Sequence, residues 1–357
     1  MLDNRLDDDD YLLDMGSGEM VRLTLDGQRG LDYRVSPDGT KLAYERVLFE
    51  KDAPDRFYQT DLLIADATGQ ELVSLPWEDG WGRILGWLND EWLVLNLYGL
   101  DPLADAGYHP NYLLALDPFS GERKLLAPDY PDIHTFDKFD WEGWSRTMYD
   151  PTLTRVVYLT EYDDFSYVLW DMENNRELTR LPATVPVGYY TTHIPRWFRD
   201  GSKFAIEARV PNEEGLELFQ VSRDGDIEQL TRLYPYGEAT LAQYSWSPDG
   251  RYLAGMLDTG LGQSPELELV VLDTQTRQIT NTCLTVTYFY DTPKLEDSWE
   301  MPPPLPIWSP DGRQLLVTNR TGKEGTWQVI LVDLKQKIAV VLAENMEPMG
   351  WMVAPEK

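Results

Sequence analysis

The chain of 357 residues has one cysteine, three histidines and only 31 basic against 61 acidic side chains. A lone Cys283 excludes an intramolecular disulfide framework, and its setting, Thr280-Asn281-Thr282-Cys283-Leu284, suits a small strand residue. No apolar run approaches the length of a membrane-spanning helix, and Met1 to Asp10 has neither the basic start nor the apolar core of a secretory signal. The formal net charge of −30 repels phosphate backbones, and no basic stripe opposes it, so nucleic acid and anionic membrane surfaces are excluded as partners. Gly-x-Ser-x-Gly and His-Glu-x-x-His are both missing, which removes the usual elbow of a serine hydrolase and the helical zinc site of a metalloprotease. Asp7-Asp8-Asp9-Asp10 lacks the alternating spacing and distal glutamate of an EF-hand.

What the sequence does hold is a repeated tetrapeptide. Ser36-Pro37-Asp38-Gly39, Ser247-Pro248-Asp249-Gly250 and Ser309-Pro310-Asp311-Gly312 each lie between two short apolar runs. Proline sets φ at the second position, aspartate bonds nearby backbone N–H groups and glycine takes the left-handed conformation, so each is a tight strand-to-strand turn. Weaker copies occur at Trp197–Gly201, Trp87–Asp90 and Asp150–Thr152. A second hairpin follows each turn, as in Leu62 to Leu75, Tyr112 to Leu125, Leu269 to Leu284 and Val329 to Leu342. Four strands recurring with a period of roughly 45 to 60 residues fit propeller blades better than solenoid units.

The sequence therefore predicts an all-β chain, a single β-propeller domain over residues 1–357 built of four-stranded antiparallel blades. The chain opens midway through a repeat, with Tyr11–Asp14 and Met20–Thr24, and closes on Met349–Val353, which reads as a first strand. Pairing of these ends in one sheet predicts seven blades; six blades with frayed ends is the alternative. Trp87, Trp197, Trp246, Trp308 and Trp351 occupy matching repeat positions and are expected to fill the space between neighbouring blades.

These repeats resemble those of TolB-type, WD-repeat-like β-propellers, which are themselves similar to the propeller domains of the prolyl oligopeptidase family. The likeness rests on the three Ser-Pro-Asp-Gly turns, Asn319-Arg320-Thr321-Gly322 and the Leu-Thr endings at Leu23-Thr24 and Leu230-Thr231, and it spans nearly the whole chain. No βαβ segment of a hydrolase domain follows the repeats. The resemblance implies a soluble, extracytoplasmic protein, with the cytoplasm as the alternative compartment, and a function in docking, filtering substrates or, in some relatives, catalysis. A start partway through a blade is compatible with a leader or anchor upstream of it.

Strand alternation puts the first-to-second and third-to-fourth turns on one face and every other connection on the opposite face. The second set is long: 46–60, 98–111, 129–145, 185–195, 234–243 and 285–306. Long connections on a rigid scaffold are where binding usually resides. They carry the candidate binding residues Tyr108, Trp141, Trp144, Tyr190, Tyr236 and Trp299 among many carboxylates. Such an acidic, aromatic surface suits a basic or amphipathic protein or peptide, and its rings also suit sugars. The three histidines, His109, His134 and His193, fall on the same connections but come from separate blades with no spacing that forces two ligands together. The reading is thus a non-catalytic binding scaffold with no catalytic residue, no metal and no cofactor. A metal-assisted lyase or hydrolase acting on a carbohydrate or peptide is the alternative.

Overall fold

The structure is a computed structural model that describes residues 2–4, 9–22, 28–50, 53–78, 81–97, 112–126, 149–160, 166–182, 195–210, 216–233, 239–259, 266–287, 305–321 and 326–353. All regular structure among them is β-strand. Strands β1 (Leu2–Asn4), β2 (Asp9–Leu13) and β3 (Met20–Arg22) precede a sheet of β4 (Gln28–Val35), β5 (Lys41–Glu50), β6 (Ala53–Asp66) and β7 (Glu71–Pro76). Next come β8 (Trp81–Trp87), β9 (Leu93–Leu97), β10 (Tyr112–Leu116) and β11 (Arg123–Leu126), then β12 (Arg155–Thr160), β13 (Ser166–Asp171) and β14 (Arg176–Pro182). A sheet of β15 (Arg196–Trp197), β16 (Lys203–Arg209), β17 (Leu216–Ser222) and β18 (Ile227–Gln229) follows. After it stand β19 (Thr240–Trp246), β20 (Tyr252–Asp258), β21 (Glu266–Asp273) and β22 (Gln278–Thr287). The last full repeat is β23 (Ile307–Trp308), β24 (Gln314–Arg320), β25 (Trp327–Asp333) and β26 (Ile338–Glu344), and β27 (Met346–Pro348) shares the sheet of β1, β2 and β3.

The fold is a β-propeller of antiparallel sheets. Among the described residues there are seven sheets, six of them four-stranded. The remaining sheet, β12-β13-β14, has three strands, and an isolated bridge from Tyr149 to Val156 stands where its first strand would run. Five of the four-stranded sheets are meanders in chain order, so neighbours in sequence are neighbours in the sheet.

The chain forms two compact units, one of Met1–Asp3, Asp7–Val156 and Met349–Lys357, the other of Asn4–Leu6 and Val157–Pro348. In the first, Ala43, Leu62 and Ile64 pack with Ile84, Leu93 and Leu95. In the second, one cluster joins Leu218, Leu241 and Leu253, and another joins Met256, Leu269, Leu315 and Val317. Middle strands are apolar on both faces because sheets cover them on both sides: Leu93, Val94 and Leu95 are all fully buried. Fourth strands lie at the sheet edge and are largely solvated, as the exposed Glu71 and Leu72 of β7 show.

The turns form as their chemistry dictates. In Ser247–Gly250 the Ser247 hydroxyl donates to Asp249 Oδ1 at 2.6 Å and accepts from the Tyr252 N–H at 2.9 Å, while the Gly250 N–H closes the turn on the Ser247 carbonyl. Ser36 and Ser309 repeat these bonds, and Gly39, Gly250 and Gly312 have φ of 74°, 70° and 69°. The copy at Asp150 keeps the geometry with Asp150 in place of serine, and Leu153 takes the left-handed position at φ 56°.

Two expectations need correction. The stretch 46–60 is no loop: β5 and β6 continue as a ladder to the pair Glu50 and Ala53, past a shift between Arg46 and Val47. Phe49 pairs with Phe57 in backbone register, with the breakers Pro54 and Asp55 between them in sequence. Met349–Val353 is not a paired strand either; the C-terminal strand lies earlier, at Met346–Pro348. Beyond it the chain runs along the first Ser-Pro-Asp-Gly turn, where the Val353 N–H donates to the Gly39 carbonyl at 2.7 Å.

Candidate functional site

Two ends of the sheets differ in kind. At the first lie the Ser-Pro-Asp-Gly turns and the third-to-fourth turns, all short and internally bonded. In the latter an aspartate accepts backbone N–H groups and a later residue takes positive φ: Asp66 with Gly69, Asp117 with Gly121, Asp171 with Asn175, Asp273 with Arg277 and Asp333 with Lys337. At the opposite end depart the connections 98–111, 127–148, 183–194 and 288–304, the longest between described strands. Tyr108, Trp141, Trp144, Tyr190, Tyr236 and Trp299 lie outside the described residues, as do His109, His134 and His193.

What the described residues supply is the polar layer set into the sheets toward that end. Glu207, on β16, is 2% exposed, although Phe204, Ala205 and Ile206 before it are apolar. Its carboxylate acts on two buried phenols of the adjacent sheets, Tyr167 on β13 and Tyr244 on β19. Burial, and then the Glu207 charge, push both phenols well above the ordinary tyrosine range. The Glu207 backbone N–H also bonds the Tyr244 oxygen, and Arg196 on β15 adds an opposing positive field. Burial in turn pushes the Arg196 guanidinium down. Both tyrosines are thus held neutral.

Glu45 is a second buried carboxylate, in the other unit. It is 1% exposed, and its Oε1 accepts the Ile84 N–H of the next sheet at 3.3 Å. Each of these glutamates stands six residues after a turn glycine, Gly39 and Gly201. That coincidence was the only trace of them in the sequence; hidden in apolar runs, they were missed as candidates. A further buried carboxylate, Glu217, accepts the Thr231 hydroxyl at 2.6 Å, and the same hydroxyl accepts the Leu218 N–H. Thr231 belongs to the Leu230-Thr231 ending, whose function here is to close the fourth strand onto the third.

Among the described residues no group of three or more His, Cys, Asp or Glu side chains is arranged to hold a metal. A groove of about 660 Å³ runs beside β18 and β22, lined by Ile227, Leu230, Leu233 and Ile279, with Arg277 bridged to Glu228 at 2.6 Å. It lies along outer strands.

No protein-family model and no curated protein matches the chain in sequence. Among solved structures, a study of two prolyl endopeptidases matches with a TM-score of 0.53 at 12% identity, over 94% of this chain and 46% of that one. TolB from Acinetobacter baumannii matches at 0.46 and 14% identity, over 85% of this chain and 64% of its own. An oligogalacturonate lyase in complex with manganese matches at 0.42 and 14% identity, over 87% and 92%. The chain thus spans less than two thirds of the endopeptidase and TolB chains, and at these identities the likeness is one of fold alone, a β-propeller. No helix among the described residues is long and apolar enough to cross a membrane.

Proposed function

We propose that this propeller is a non-catalytic scaffold that docks a basic or amphipathic protein or peptide at the sheet ends from which the long connections depart. The observation that carries it is the asymmetry of the two ends. One end consists of short turns whose polar groups satisfy each other, which leaves little for a partner to bond. The other carries the connections where Tyr108, Trp141, Trp144, Tyr190, Tyr236 and Trp299 stand among carboxylates. Rigid sheets beneath, keyed by buried Glu45 and Glu207, give such connections a fixed base. Aromatic anchors supply affinity, and exposed acid steers a basic partner toward them.

The test is affinity capture with cross-linking, followed by calorimetric titration of the captured partner. Trp141→Ala and Trp299→Ala should each weaken binding by more than about 1 kcal/mol, with the fold intact by circular dichroism. Cross-links confined to the Ser-Pro-Asp-Gly end would refute the reading. So would turnover of an oligosaccharide or peptide that requires added divalent metal and is lost on changing His109, His134 or His193.

A further inference from the structure

We infer that two copies of this chain associate through the outer strand β26, edge to edge and antiparallel about a two-fold axis. β26 is last in its sheet, so one row of its backbone N–H and C=O groups lacks a ladder partner within that sheet. Its residues 338–343 read Ile-Ala-Val-Val-Leu-Ala, six aliphatic side chains in succession. Ile338, Val340 and Val341 are 49%, 44% and 50% exposed, so the apolar surface is open on both faces of the strand. No other outer strand described has this composition. β3 is three residues long and ends on Arg22, β7 begins on Glu71, β11 on Arg123-Lys124, β14 contains Arg176, Glu177 and Arg180, β18 contains Glu228, and β22 is rich in Thr and Asn. Charge and polar side chains blunt those edges; β26 is left unguarded.

The ends of β26 say what covers it. Lys335 and Lys337 precede the aliphatic run and Glu344 follows it. In a chain of net charge −30, most approaches of one copy to another are repulsive. Antiparallel pairing of β26 with itself sets the lysine end of each copy beside the Glu344 end of the other, whereas parallel pairing would set like charges together. The edge is therefore complementary to itself. A two-fold contact also consumes both edges, so assembly stops at two instead of propagating. A bulge at Leu342, where the β25 register shifts between Val329 and Ile330, limits the regular ladder and makes the contact short. Association is accordingly weak and concentration-dependent, and the sheet ends proposed for docking stay free because β26 meets its partner sideways.

Sedimentation velocity of the full chain over a wide concentration range, at about 0.15 M salt where surface fields reach only about 8 Å, tests this. A monomer–dimer equilibrium is expected, with slower amide exchange at 338–341 as concentration rises. Val340→Lys should weaken it at least tenfold with unchanged thermal melting, since the side chain is exposed. Lys337→Glu and Glu344→Lys should each weaken it, the second despite lowering the net negative charge, and the combined K337E/E344K variant should restore it. A strict monomer, dimerisation indifferent to Val340→Lys, or species growing beyond two would overturn the proposal.

Discussion

Trp246 donates its indole N–H to the Arg196 carbonyl at 2.7 Å, and Arg196 is the residue just before Trp197, the equivalent of Trp246 in the preceding repeat. Trp308 does the same to the Ser245 carbonyl at 3.1 Å, and Trp87 to the Arg34 carbonyl at 2.9 Å. One rule thus links successive blades: the ring fills the space between sheets while its N–H satisfies a carbonyl of the preceding first strand. Trp246→Phe keeps most of the apolar volume and strands that acceptor, so it should lower unfolding free energy by about 1–3 kcal/mol. Urea denaturation of the variant measures it; an unchanged midpoint would show that the N–H contributes only geometry.

The turn glycines should rank by what surrounds them. A side chain at Gly312 meets nothing nearer than Pro248 at 3.6 Å, so Gly312→Ala should cost only left-handed strain, about 1 kcal/mol. At Gly250 a Cβ would lie 2.8 Å from the Phe198 ring, and at Gly39 it would lie 2.7 Å from the Trp351 carbonyl. Both alanine variants should be less stable than Gly312→Ala. Conversely, Leu153 already holds φ 56°, so Leu153→Gly should stabilise by roughly 1 kcal/mol. Thermal melting of the four variants decides the order.

These contrasts show where the sequence is readable. Ser-Pro-Asp-Gly is local chemistry, and four residues carry the whole of its geometry, so the repeats and their fold class follow from it. The ladder that carries Phe49 to Phe57 is set by pairing between two strands, a relation that no local run of residues displays. Leu153 escapes notice because its position is fixed by the bonds of Asp150, not by its own preference. Glu45 and Glu207 look like strays in apolar strands until the neighbouring sheets supply Ile84, Tyr167 and Tyr244. The aromatic candidates on the long connections were legible as composition only, since a side chain's place on a connection depends on neighbours distant in sequence.

Acid should unfold the protein partly through its turns. The Asp66 carboxyl lies below its ordinary range because the Thr68 hydroxyl and backbone N–H groups bond it, and Asp311 does so through Ser309. Asp273 is held down first by Arg251. A folded pKa below the unfolded one means stability that is present above about pH 4 and lost as pH falls through the folded values. Asp66→Asn removes one titrating group while keeping a side-chain acceptor for the turn, and should flatten the acid limb of the melting-temperature profile. A limb identical to the parent would show that Asp66 carries none of it.

At alkaline pH the sign reverses, and the buried phenols govern it. Tyr167 and Tyr244 keep their protons in the folded state because burial and the Glu207 charge oppose ionisation, whereas in the unfolded chain both ionise near pH 10. The unfolded state then binds fewer protons than the native one, so stability falls as pH rises above about 10. Glu207→Gln removes the negative charge that both phenols face, and should bring their ionisation down toward the ordinary range. Tyrosinate absorbance followed along a pH titration should show two phenols in the parent that ionise only with unfolding, and an earlier onset in the variant. An unchanged onset in the variant would show that burial alone, not the Glu207 field, holds both phenols up.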